Sequence, residues 1–415
     1  MNILLLSISL PIILIIYLLL KNKNSIKTLV PPGPAPLPLI GNLHQIGAAK
    51  DPHIYLWQLS KKYGPLIHMK LGSIPLIVIS SAKLAKQALK KQDLAFSSRP
   101  ESTGSRKITY NCADIVFSPY GEYWRELRKI TTIHLFSLKK SQSFRPIRED
   151  EIYRVVEKIS DFASSSQAVD LSEVSMALSS NLICRIAFGK HYYNYEKGSE
   201  IRRFDELLHD AQATLVAFFV SDYFPMFGWV DKMTGLINRL DKTFENLDSF
   251  YQEIIDERLL DPTRAKKKEE DYDILDTLIQ LKEEKSSSVE LSWDNIKAVL
   301  TDIFIAATDT SAAATVWTMT ALMKAPNNVM QKVQSEIRNS VGEKGRVDED
   351  DLPKLPYLKA VINETFRLYL DKQSRNAISR DTKFNRKHWF ILTRGRLHEI
   401  PSIGKIHLNS CPRDS

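Results

Sequence analysis

The sequence predicts a mainly α-helical fold with a small β part near its start, carried behind an N-terminal membrane anchor. Three observations predict it. Ile3 to Leu20 carries no charge over 18 residues, near the minimum for spanning a bilayer. Leu66 to Ile79 gathers Ile, Leu and Val around Gly72 and Pro75, as a hairpin would. Ser292 to Lys324 then runs 33 residues without Pro or Gly, roughly 50 Å of helix at 1.5 Å per residue.

Composition narrows the function classes. With 415 residues, 43% of them apolar, the chain can bury a large core, which excludes wholesale disorder. Three cysteines exclude a disulfide-stapled secreted scaffold. The net charge of +8 invites a nucleic-acid reading. Residues 371–415 hold ten Lys/Arg against four Asp/Glu, however, so the first 370 are nearly balanced. No ordered basic and aromatic surface is evident in that tail, and no nucleic-acid partner is expected.

The elements follow in order. Residues 1–20 read as an uncleaved anchor, because Lys21, Lys23 and Lys27 follow the apolar run and no charge precedes it. Lysines on that flank hold it on the cytosolic side, and a cleavable signal peptide wants the opposite arrangement. Residues 21–38 form a basic, then Pro-rich linker, with six of the eight residues from Pro31 to Pro38 Pro or Gly. Helical patterns follow at Ser81–Lys91, Tyr120–Thr131, Glu149–Phe162, Leu171–Phe188, Phe204–Val220 and Leu236–Leu260. The last ends at Asp261-Pro262. Lys266 to Asp271 reads as a solvated, charged loop. Ser292 caps the long helix, Asn327–Val341 closes at Gly342, and Leu358–Tyr369 is the last periodic segment.

Three local patterns carry chemistry. Trp124 and Arg128 lie four apart on one helix face. They can grip the carboxylates of an anionic cofactor, or simply stack on each other. Ala306-Ala307-Thr308-Asp309-Thr310-Ser311 sits in the apolar stretch of the long helix. Small residues at 306 and 307 admit something flat, and Asp309 and Thr310 can hold water and relay protons. Equally, Thr310 can bond back to its own helix and bend it. Glu364 and Arg367, three apart, can pair on one face.

Taken in this order, the Pro-rich hinge, Trp-x-x-x-Arg, Ala-Ala-x-Asp-Thr-Ser and Glu-x-x-Arg resemble the cytochrome P-450 superfamily. Phe96-Ser97-Ser98-Arg99-Pro100, Gly121-Glu122-Tyr123-Trp124-Arg125 and Leu355-Pro356-Tyr357-Leu358-Lys359-Ala360 resemble its plant microsomal branch. The resemblance implies the haem-thiolate monooxygenase fold. It implies haem as cofactor, with Trp124 and Arg128 binding its propionates. Ala306 and Ala307 would lie over its oxygen-binding side, Asp309 and Thr310 would deliver protons, and Glu364 and Arg367 would form a structural ion pair buried in the core. It further implies a small lipophilic plant metabolite as substrate, and electrons passed from NADPH by a separate flavoprotein reductase. The expected location is the endoplasmic reticulum membrane, with residues 39–369 forming an incomplete catalytic domain in the cytosol.

The family's Phe-x-x-Gly-x-Arg-x-Cys-x-Gly loop does not occur in this sequence. Cys112 and Cys184 precede the region that would hold it and read as buried apolar thiols. Cys411 lacks the Phe, Gly and Arg that should stand before it, which argues against it as iron ligand. After Tyr369 the text changes, and residues 371–415 read as an aberrant basic tail of a truncated or frameshifted member. The expectation is therefore a monooxygenase by lineage whose own activity is lost for want of the axial cysteine. The alternative is a non-enzymatic, membrane-anchored remnant or partner-binding protein.

Overall fold

The computed structural model describes residues 30–190, 200–285 and 288–373. The anchor of residues 1–20, the tail from 374 and Cys411 lie outside them. The described residues form two compact units. One comprises residues 30–100 with Val220–Phe227, the other Glu101–Phe219 with residues 228–373.

The first unit is built on a hairpin. Strands β1 (Leu66–Leu71) and β2 (Ile74–Ile79) pair antiparallel in the register Leu66↔Ile79 to Leu71↔Ile74. Alternation sorts their side chains onto two faces. Ile67, Met69, Leu76 and Val78 form one buried cluster. Leu66, Ile77 and Ile79 join Leu84, Ala85 and Ala88 in another. The helix Ala82–Lys86 starts where expected, with the Ser81 hydroxyl accepting from the Leu84 N–H, and then widens into a π-turn at Gln87–Lys91. The Pro-rich linker differs from its reading as a plain spacer. Residues 30–36 are extended and free of helix, but Pro31 and Pro34 are buried. The His68 N–H donates to the Pro32 carbonyl, and the buried Asn42 carboxamide donates to the carbonyls of Pro34 and Ala35. Asn42 thus turns the second half of the linker into part of the folded unit.

The second unit is helical throughout. Its main elements are α1 (Glu122–Ile130), α2 (Arg145–Ser164), α3 (Leu171–Phe188), α4 (Glu200–Leu215) and α5 (Leu236–Leu260). They continue with α6 (Ile274–Glu284), α7 (Trp293–Lys324), α8 (Asn327–Val341) and α9 (Pro356–Gln373). Asp170 caps α3, and Gly189 closes it in the left-handed conformation. Ser292 and Asn295 form a reciprocal capping box at the start of α7.

Helix α7 is apolar and long enough to cross a bilayer, yet it is a core helix here, packed against α3 and α9. Phe304 stacks on Phe188 of α3 with ring centroids 4.9 Å apart and meets Tyr251 of α5 at 6.4 Å. Val299, Leu300 and Ile303 fill the same cluster. The Lys266 to Asp271 run is not simply solvated. It folds as two 3₁₀ turns, and the Lys267 ammonium donates to Asp276, a fully buried residue of α6.

Candidate haem-facing site and its buried supports

Helix α1 sets the first pair. Tyr123, Leu127 and Ile130 are its inward edge, and Leu127 and Ile130 are buried. Trp124 and Arg128 occupy the neighbouring stripe, one turn apart, with the guanidinium over the indole at 5.4 Å. Arg128 is exposed, and among the described residues no acid pairs with it. The Trp124 indole N–H donates to the Ile115 carbonyl at 2.9 Å. Arg128 is therefore the free donor of the pair, while Trp124 fixes the loop ahead of the helix and serves as the surface against which Arg128 lies.

Helix α7 presents the second pattern. Ala306 and Thr310, one turn apart, are exposed although the stretch before them is buried. The Thr310 hydroxyl donates to the Ala306 carbonyl at 2.6 Å, the back-bonded arrangement that slightly bends a helix. Its oxygen can still accept. Ala307 and Asp309 are half-buried, one on each flank of that stripe. Burial holds the Asp309 carboxyl above the ordinary aspartate range, partly offset by a hydrogen bond from Gln212 and by His209, both of α4. Burial of this kind favours the protonated form.

The third pattern departs from expectation. Glu364 and Arg367 do pair, at 2.5 Å, but their side chains are 53% and 51% exposed. The expected buried pair is a half-exposed one, because nothing among the described residues covers that face of α9. Phe366 and Leu368 are exposed on the same helix.

Sequence reasoning marked Arg99 to Ser118, ahead of α1, only as resembling a substrate-contacting segment of the family, and did not foresee its backbone turn or its polar anchors. Tyr110, Asn111 and Cys112 are three successive non-glycine residues in left-handed conformation, at φ of 52, 62 and 58°, each a costly backbone state. Polar anchors hold the segment there. The Tyr110 hydroxyl and the buried Lys297 ammonium of α7 both donate to one carboxylate oxygen of Asp248 on α5, at 3.0 and 2.6 Å. Further along, the Ile115 N–H donates to Asp302 of α7 at 2.8 Å. Asp302 stands in the same apolar stretch as Asp309, one turn before Ala306. An acid in that stretch was the available signal.

With this geometry in place, the comparisons with known proteins define the class. Residues 31–388 match the cytochrome P450 family, and the chain belongs to that family, whose members are monooxygenases. The match runs past Tyr369, to residue 388. The chain is 47% identical over 356 residues to 6,7,8-trihydroxycoumarin synthase of Pastinaca sativa, covering 85% of this chain and 68% of that one. It is 46% identical over 356 residues to 5-OH-xanthotoxin synthase of Ammi majus, with the same coverage. It is 44% identical over 359 residues to strychnine-11-hydroxylase of Strychnos nux-vomica, again covering 85% and 68%. A zebra fish cytochrome P450 structure with progesterone shares the fold at a TM-score of 0.63 and 23% identity, over 77% of this chain and 72% of that one.

The residues present fit part of a haem site. Arg128 is a free cation suited to a carboxylate, and the exposed Ala306–Thr310 face, bare of bulk, suits a flat group. The axial thiolate is not supplied by the described residues. Among the described residues Cys112 and Cys184 are both buried and in no disulfide, and burial pushes the Cys112 thiol up to about 11, so it keeps its proton at neutral pH.

Proposed function

We propose that the chain descends from monooxygenases that oxidise small lipophilic plant metabolites, and that as it stands it holds no thiolate-ligated haem. The observation that carries the first half is α7. An apolar core helix bares Ala306 and Thr310 on one face and holds a half-buried Asp309 beside them. Three relatives, two named for coumarin and xanthotoxin products and one for hydroxylating strychnine, point to a rigid, oxygen-bearing ring system as substrate. In the family a bound haem supplies the redox chemistry, and a separate NADPH-dependent reductase supplies the electrons. This chain's residues would do the rest. Arg128 would bind a propionate, Trp124 would hold the loop before α1, Ala306 and Ala307 would admit the ring plane, and Asp309 and Thr310 would hold a proton and a water.

The second half rests on Cys112 and Cys184, both buried, with Cys112 held protonated by burial, and favours the other reading, a membrane-anchored remnant without the activity. One spectrum separates the two. The reduced full-length chain with carbon monoxide should show no Soret band of thiolate-ligated haem. Appearance of that band would restore the enzyme reading, and its loss in Cys411→Ser would assign the ligand to Cys411. The uncharged run Ile3–Leu20 is proposed to anchor the chain in the endoplasmic reticulum membrane. Release of the full chain from membranes by alkaline carbonate would overturn that.

A further inference from the structure

We propose that Asp114 and Asp302 share one proton, and that this carboxyl pair positions Trp124 by fixing the backbone of residues 115–117 on α7. Asp114 is 0% exposed. One of its carboxyl oxygens accepts from the Phe117 N–H at 3.1 Å, while the other is buried with no donor. Beside it lies the Asp302 carboxyl, which accepts the N–H of the very next residue, Ile115, at 2.8 Å. Two ionised carboxylates are acceptors only and repel. One proton between them turns the repulsion into a hydrogen bond and satisfies the orphan oxygen.

The surroundings agree. Tyr123 of α1 faces both carboxyls, Tyr251 of α5 faces Asp302, and Thr109 and Cys112 of the loop face Asp114. Burial raises both tyrosines and Cys112, which leaves them neutral. Two cations of the same region are committed elsewhere, Lys297 to Asp248 and Arg106 to Glu101. Burial comes first among the causes that lift both Asp114 and Asp302 above the ordinary range, and for Asp302 the neighbouring Asp114 adds to it. A raised carboxyl contributes its full stability below the ordinary aspartate value. That contribution is lost as pH climbs to the raised value.

The positional consequence runs through Ile115. Its N–H goes to Asp302, and its carbonyl takes the Trp124 indole N–H. The inference extends the α1 part of the proposed site, but its test needs no haem and so fails or succeeds independently of that reading.

The full chain in detergent is examined by infrared spectroscopy at pH 7. A protonated-carboxyl stretch should be present and should disappear in both Asp114→Asn and Asp302→Asn. Asparagine at 302 still accepts from Ile115 and offers an N–H to Asp114, so this variant retains the contact without the proton. Hydrogen exchange supplies the second readout. Protection of the Ile115 amide should fall at alkaline pH beyond ordinary base catalysis in the parent, and that extra fall should vanish in Asp302→Asn. Asp302→Ala should lose roughly tenfold of that protection at any pH. The proposal is overturned if the parent shows no such band, if the band survives both asparagine variants, or if Asp302→Asn keeps the parent's pH dependence. Should a variant fail to fold, the parent's band decides alone.

Discussion

Replacing Arg258 with Met tests where the second unit stores its electrostatic stability. Arg258 of α5 is 7% exposed, and one nitrogen of its guanidinium lies 2.6 Å from Asp273 and 2.7 Å from Asp276. A second nitrogen donates to the Phe188 carbonyl at the end of α3. Met keeps most of the side-chain volume but strands two buried carboxylates and a carbonyl. Breaking a buried pair on one side costs about 3–5 kcal/mol. Lys267 still reaches Asp276 at 3.0 Å, so the lower end, about 3 kcal/mol, is expected. Burial outweighs Arg258 and already holds Asp273 up to about 6. The variant can therefore protonate Asp273 in mild acid, and the loss should shrink there. The assay is urea unfolding of the full chain followed by circular dichroism, at pH 8 and pH 5. A loss below about 1 kcal/mol at pH 8, or an equal loss at both pH values, would refute the reasoning, since a solvated cluster behaves that way.

Three further outcomes are expected. Because the Asp273 carboxyl is raised, its contribution is whole below about pH 4 and is lost as pH climbs to about 6. Asp273→Asn should flatten stability over that window in a denaturant titration, and an unchanged slope would contradict it. Trp124→Phe removes the donor to the Ile115 carbonyl and should cost about 1 kcal/mol in the same assay, with faster exchange of the Ile115 amide as its signature. Glu364→Ala breaks a half-exposed pair and should leave the unfolding midpoint within error of the parent. A fall as large as that of Arg258→Met would mean the pair is covered in solution.

What the sequence made legible was local. Helices α3 and α5 and the start of α7 fall where periodicity, Asp261-Pro262 and Ser292 place them. Helix α6 was missed. Ile274, Leu275, Asp276, Thr277, Leu278, Ile279 and Leu281 are all buried, so polar Asp276 and Thr277 stand on its buried side and interrupt the apolar pattern, and the charge run before it read as loop. The Trp124–Arg128 stack and the Glu364–Arg367 pair were legible because spacing on one helix decides them. The exposure of the second pair was not, because cover comes from distant chain. The same holds for the links that fix the loop before α1. Tyr110 meets Asp248 across 138 residues, Ile115 meets Asp302 across 187, and Lys297 meets Asp248 across 49. No local pattern encodes such pairings.

The hairpin has a consequence for the order of events at the ribosome. Gly72, at φ +58°, sits at its turn so closely under the Tyr223 carbonyl and the Phe224 ring that a side chain would collide with them. The Ser73 N–H donates to that carbonyl at 2.8 Å. The first unit thus closes only when Val220–Phe227 has been made, after the roughly 120 residues that begin the second unit. At about 5–20 residues per second that is a wait of about 6–24 s. The turn and its flanking strands emerge early and stay unsealed meanwhile. A chaperone that shields apolar strand edges should be engaged by nascent chains stalled before Val220 and released by those stalled well past Phe227.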